Sequence, residues 1–189
     1  MNHRYLQKFQ IKDVVFLAIM SAVALATCAV MPLVIGLQPL IFGISQLVTA
    51  LQIGVFFAIG LYKVRKPGSL LIMALMMGLI QLMMSPPMFL SSILNGVLIE
   101  LIVLLLFRGY EKDAAVFVAA MLHTPLSLPF NYLYNRLIKG ADSPLAAVAD
   151  RAPLAAVGMT LAVVAVSALG ALIGIRIARE LKKSGVLKK

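Results

Sequence analysis

The sequence predicts an all-α membrane protein: a single integral membrane domain over residues 1–189, built as a bundle of six transmembrane helices with both termini in the cytoplasm. Three observations carry this expectation. Apolar residues make up 62% of the chain and charged residues only 13%, against about 45–50% and 25% in an ordinary soluble domain. The apolar residues gather in continuous stretches instead of alternating every second position, which makes the strands of a membrane barrel a poor alternative. The basic residues fall almost wholly on alternate connections between those stretches. A mean hydropathy of +1.01 excludes a disordered chain, and the single Cys28 excludes an internal disulfide.

A helix rises about 1.5 Å per residue, so crossing roughly 30 Å of hydrocarbon takes about 20 mostly apolar residues. The first span is expected from about Val14 to Leu33, ending near Pro32 and Gly36. The second, Leu40 to Tyr62, stops at the basic run Lys63-Val-Arg-Lys-Pro67. The third, Ser69 to Met84, is closed by Ser85-Pro86-Pro87 and is short, so it is expected to sit shallow or lean on its neighbours. The fourth, Met88 to Phe107, stops at Arg108-Gly-Tyr-Glu-Lys-Asp113. The fifth, Ala114 to Arg136, is expected to be a proline-broken helix, interrupted at Pro125 and Pro129. The sixth, Pro153 to Ile175, leads into the basic tail Arg176 to Lys189. The polar, basic segment Met1 to Lys12 is followed by an apolar stretch too long for the core of a cleavable signal.

A net charge of +10 and a pI near 10.1 raise the possibility of nucleic acid. The positions of the charges argue otherwise. Fourteen of the seventeen basic residues lie at the termini and in the connections after the second and fourth spans, while only Arg136, Lys139 and Arg151 lie on the other side. That is the positive-inside pattern, with contact to anionic lipid, and no nucleic-acid partner is expected.

Polar residues inside the spans concentrate at one level, toward the exterior. They are Gln38, Ser45, Gln46 and Thr49, then Gln81, then Ser91, Ser92 and Asn95, then Asn131, Tyr132, Tyr134 and Asn135. Each alone reads equally well as interhelical hydrogen bonding. Together they favour a pocket, since polar groups at membrane depth face the bundle interior or a cavity. In the fifth span His123, Ser127, Asn131 and Asn135 recur every four positions, one polar stripe along a helix. Pro125 and Pro129 are expected to free carbonyls beside that stripe. The expected ligand contacts are Gln46, Thr49, Ser92, Asn95, Ser127, Asn131, Tyr132 and Asn135, whose neutral amides and hydroxyls suit an uncharged or zwitterionic ligand. His123 reads equally as structural or ligand-contacting. Glu100, the carboxylate deepest inside a span, reads as a proton or cation site or as a structural partner of His123.

Ala18, Ala22 and Ala26 make a small-residue strip on the first span that lets another helix approach closely, within the bundle or on a partner, and Gly170 and Gly174 form a GxxxG pair expected to pack internally. The methionines crowded around the third span read as core or lipid-facing surface. There is no GxxxxGK[ST] phosphate loop, HExxH or CxxC, so no nucleotide hydrolysis, metal site, bound cofactor or catalytic activity is expected of this chain.

Six spans in this length, cytoplasmic termini, the alanine strip and the outward pocket together resemble the S component of an energy-coupling factor (ECF) vitamin transporter. Val64-Arg-Lys-Pro-Gly68 and Gly96-Val-Leu-Ile-Glu100 resemble the branch containing the thiamine-related YkoE proteins and their cobalamin-transporting relatives. The resemblance implies a substrate-binding subunit in the cell membrane that joins a transmembrane T component and two ABC-type ATPases. Ala18, Ala22 and Ala26 would meet the T component, and the partner ATPases would use the ATP. It further implies capture of a vitamin outside and delivery by toppling in the membrane. A corrinoid such as cobalamin, with many peripheral amides, is the ligand expected from the Asn-, Ser-, Gln- and Met-rich layer. Thiamine or its pyrimidine precursor is the alternative, and two further readings are an ion-coupled secondary transporter using Glu100 and a structural or assembly protein.

Overall fold

The computed structural model describes residues 8–83, 85–140 and 143–187, and its regular structure among those residues is entirely helical. His3, Arg4, Met84, Lys188 and Lys189 lie outside the described residues. The helices are α1 (Ile11–Thr27), α2 (Met31–Ile35), α3 (Ile44–Lys63), α4 (Ser69–Leu82), α5 (Pro86–Phe107), α6 (Asp113–Leu137), α7 (Pro144–Arg151) and α8 (Pro153–Lys183). A 3-10 turn, Cys28–Val30, joins α1 to α2.

Among the described residues, five segments are long and apolar enough to cross a membrane: Ile11–Val30, Ile44–Lys63, Pro86–Phe107, Asp113–Leu137 and Pro153–Lys183. The expected third span is the exception. Helix α4 has only 14 residues, which at about 1.5 Å each reach roughly 21 Å of a 30 Å core. Long apolar side chains face outward around the bundle, with Leu105, Leu106, Leu154 and Leu161 all more than half exposed.

Proline and glycine set several boundaries. Pro86 and Pro87 open α5, and Pro144 and Pro153 open α7 and α8, at positions where the missing N–H costs nothing. Gly68 precedes α4 with φ +91°, a left-handed conformation that an L side chain rarely adopts. Helix α7 lies in the connection before the last span, where no helix is expected from the sequence.

The expected break in the fifth span is absent: α6 runs unbroken from Asp113 to Leu137 through Pro125 and Pro129. Pro125 cannot donate to the carbonyl of Met121, and the Ser167 hydroxyl of α8 donates to it instead at 2.8 Å. A neighbouring helix thus satisfies the freed group, which is how buried proline is tolerated at membrane depth.

The closest helix contact is between α3 and α8. A Cβ on Gly170 would collide with the Leu51 carbonyl, one on Gly174 with the Val55 carbonyl, and one on Gly54 would stand 2.9 Å from the Ser167 carbonyl. The GxxxG pair therefore packs inside the bundle. Helices α4 and α5 also meet closely, since a Cβ on Gly96 would lie 2.5 Å from that of Ala74.

The main apolar core, including Leu17, Phe57, Leu61, Leu70, Met73, Ile99, Val103 and Val116, fills the half of the bundle nearer the basic connections. At that end Asp113 accepts from Arg65 and pairs with Arg179 at 2.6 Å, and Asp13 pairs with Lys66 at 2.7 Å. Toward the opposite end a smaller cluster forms around Ala50, Leu128 and Val163. Gly170→Leu is expected to destabilise the protein by about 1–3 kcal/mol or to abolish folding, because it overpacks a backbone contact. Gly158→Ala, where no atom lies within 4 Å, is the neutral control, and thermal unfolding in detergent reads both.

Candidate functional site

Between α1, α3, α4, α5 and α6, in the half away from the basic end, lies a cleft of about 100 Å³. Leu25, Cys28 and Met31 come from the first span and its continuation, Gln46, Thr49 and Ile53 from α3, and Met77 and Gln81 from α4. Helix α5 contributes Met88, Ser91, Ser92 and Asn95, at the spacing of one helix face. Helix α6 contributes His123, Thr124, Ser127 and Asn131. The cleft widens into a mouth of about 640 Å³ that shares Met31, Gln46, Met88 and Asn131 with it and adds Gln38, Ser45, Tyr134, Asn135 and Ser143.

Several polar groups here are satisfied by the protein. Ser92 donates to the Ala74 carbonyl at 2.8 Å, Thr49 to Ser45 at 2.9 Å and Ser127 to Thr124 at 2.7 Å. In the mouth, Gln38 donates to the Ser45 hydroxyl, which donates in turn to Gln46, while Ser143 donates to the Asn135 side-chain carbonyl. Deeper in, four buried atoms have no hydrogen-bond partner: Asn95 Oδ1, both ring nitrogens of His123, and Thr124 Oγ1. The side chains that carry them are almost fully buried, at 1%, 5% and 3% exposure. An unanswered buried polar group costs about 1–3 kcal/mol and is rare in folded proteins. The three residues that carry them all line one cleft, whose described lining holds no carboxylate, lysine or arginine. The His123 ring packs against Phe57, with ring centres 4.3 Å apart, which sets its orientation without using either nitrogen.

Of the expected contacts, Gln46, Thr49, Ser92, Asn95, Ser127 and Asn131 line the cleft, and Asn135 lines the mouth. Tyr132 lies on neither wall: its hydroxyl donates to Asp150 on α7 at 2.7 Å. It stands about 100° around the helix from Asn131, whereas Tyr134 is on the near side and faces the mouth. Thr124 and Cys28 also line the cleft. Thr124 stands three and seven residues before Ser127 and Asn131, a spacing that marks the same face.

Glu100 is not paired with His123. Its Oε1 accepts from the Gly68 N–H at 2.6 Å and its Oε2 from the Tyr110 hydroxyl at 2.9 Å. The carboxylate therefore caps the first turn of α4, where free N–H groups and the helix dipole both favour negative charge. The two short motifs Val64–Gly68 and Gly96–Glu100 meet at this bond. Burial, with the Glu100 carboxylate beside it, raises the Tyr110 hydroxyl well above its ordinary pKa.

On α1, Ala22 and Ala26 are exposed and Ala18 is half-buried, with Ile11, Val15 and Ile19 exposed alongside. The strip faces away from the bundle.

A family model described as hypothetical bacterial integral membrane protein (Trep_Strep) matches residues 11–183. No curated protein and no solved structure matches the chain.

Two substitutions separate structural from site residues. Glu100→Gln is expected to destabilise the protein by about 1.5–3 kcal/mol, the range for a hydrogen bond to a charged group. His123→Phe keeps a ring against Phe57 and removes two unpartnered nitrogens, so the melting temperature of the ligand-free protein should hold or rise. A fall as large as that of Glu100→Gln would mean that His123 is bonded within the folded chain.

Proposed function

The chain belongs to this family of bacterial integral membrane proteins, and on that premise we propose that it is the substrate-binding S component of an ECF-type transporter. One observation carries the reading: a deep, uncharged cleft in which Asn95, His123 and Thr124 leave four polar atoms without a partner. A ligand with polar groups at that depth would supply hydrogen-bond partners that the described residues do not. The basic end is the cytoplasmic one by the positive-inside rule, which places both termini inside and the mouth toward the exterior. Helix α4 then completes a six-helix bundle as a short span leaning on α5.

The exposed strip of Ala18, Ala22 and Ala26 supports docking to a T component, because small side chains let a second helix approach closely. ATP hydrolysis falls to the partner ATPases, since the chain has no phosphate loop. The engagement of Glu100 by Gly68 and Tyr110 weighs against ion coupling through that residue. The absence of a carboxylate on the described cleft lining weighs against thiamine, whose cation asks for one. A corrinoid suits the site if one amide arm reaches the neutral inner cleft while its ring occupies the mouth of about 640 Å³, whose wall also carries Lys139.

The S-component reading is tested without knowing the ligand. Affinity purification from native membranes is expected to recover a T-type membrane subunit and two ABC ATPases, and Ala22→Trp to lose them while His123→Phe keeps them. Recovery of the chain alone, with identical results for both variants, would overturn it. Titrating cobalamin and thiamine into the purified chain then reads the ligand: cobalamin is expected to bind, and thiamine binding alone would displace the corrinoid.

A further inference from the structure

Helix α5 is packed very differently on its two sides. Toward α4 the backbones close up, since a Cβ on Gly78 would lie 3.2 Å from the Phe89 ring and one on Gly96 only 2.5 Å from Ala74. Toward α6, in the half that holds the cleft, the side chains leave a groove of about 190 Å³. Its walls are Leu90 and Leu94 from α5, Phe130, Leu133 and Leu137 from α6, and Ile138 just past its end. Most of these face outward, with Leu90, Leu133, Leu137 and Ile138 between 47% and 74% exposed. The groove therefore opens sideways, toward lipid.

It also adjoins the inner cleft and the mouth. Ser91 and Asn131 line both the groove and the inner cleft, and Pro87, Asn131 and Tyr134 line both the groove and the mouth. Along α5 the strip Pro87, Leu90, Leu94 lies beside the strip Met88, Ser92, Asn95, one apolar and lateral, the other largely polar and central, with Ser91 between them. Helix α6 repeats the arrangement with Asn131 as the divide. An acyl chain of bulk lipid could fill the groove but would leave Asn95, His123 and Thr124 unanswered. A fully water-soluble head would answer them but leave the apolar strip uncovered.

We propose that the α5–α6 seam is the apolar half of the same ligand site, and that the ligand is an amphiphile with a neutral, amide-like head at Asn95, His123 and Thr124 and an apolar chain or face in the seam. The proposal rests on the cleft being the ligand site. An uncharged head follows from the lining, because a carboxylate or ammonium would be buried there without a counter-ion. The apolar part contributes affinity in proportion to the area it buries in the groove.

The full-length protein in lipid nanodiscs is labelled with octanamide bearing a photoreactive diazirine at the tail end, and the adducts are located by mass spectrometry. Saturable labelling is expected on residues 87–94 and 130–138. Unlabelled octanamide should compete about ten-fold or more better than propanamide, which lacks most of the tail, and better than octanoate, whose head is charged. Asn95→Leu and His123→Phe should each remove the saturable component, and Leu94→Trp should weaken it. Adducts spread evenly over the lipid faces of α1 and α8, or equal competition by propanamide or octanoate, would overturn the proposal. Co-purification of the T subunit and ATPases without saturable labelling would overturn this inference and leave the S-component reading standing. Saturable labelling without those partners would do the reverse.

Discussion

The approach of α3 and α8 at Gly54, Gly170 and Gly174 is the contact on which the rest of the bundle depends. In lipid there is little hydrophobic gain from bringing two apolar helices together, so association relies on close packing, which glycine permits. With α3 held against α8, Phe57 meets His123 on α6, and Gly60 receives the Met73 side chain of α4. Helix α6 is referenced to α8 as well, through the Ser167 hydroxyl on the Met121 carbonyl. Two walls of the cleft are thus tied to one helix that does not itself line it.

The two halves of the bundle divide stability and function. Near the basic end, large apolar side chains fill the interior, Glu100 caps α4, and Asp113 joins the connection after α3 to α8 through Arg65 and Arg179. In the other half the polar groups of four helices face one another across open space. Those nearest the mouth bond to one another, and the deepest do not. A densely packed half can hold helices in place while the other keeps unsatisfied groups, whose cost the packing offsets.

How much of this was legible depended on whether the signal was local. Span positions were, because hydropathy is a sum over neighbouring residues, and most observed helices begin and end within a few residues of the expected ones. The polar layer was also legible, and most of its members do converge. Tyr132 was misplaced because depth was considered without helix rotation, and one residue of rotation, about 100°, moves a side chain off a wall. The continuity of α6 was not legible, since the donor that rescues Met121 comes from Ser167, forty-six residues away. Helix α7 escaped for a related reason: it is set by how a connection folds back on the bundle, whereas the shortness of α4 was already legible from Ser85-Pro86-Pro87.

The sequence by itself determined that this is a membrane protein, where its apolar helices lie, which end is basic, and that its buried polar groups share one level. Composition and spacing suffice for these, because the bilayer acts on each segment separately. Only the tertiary structure decided which polar groups are answered and which are left open. Glu100 read as a candidate proton site became a helix cap once Gly68 and Tyr110 were beside it, and His123 lost its expected partner and gained only an aromatic ring. Hydrogen bonds reach about 3 Å, and no spacing along the chain reveals which distant residue will come that close.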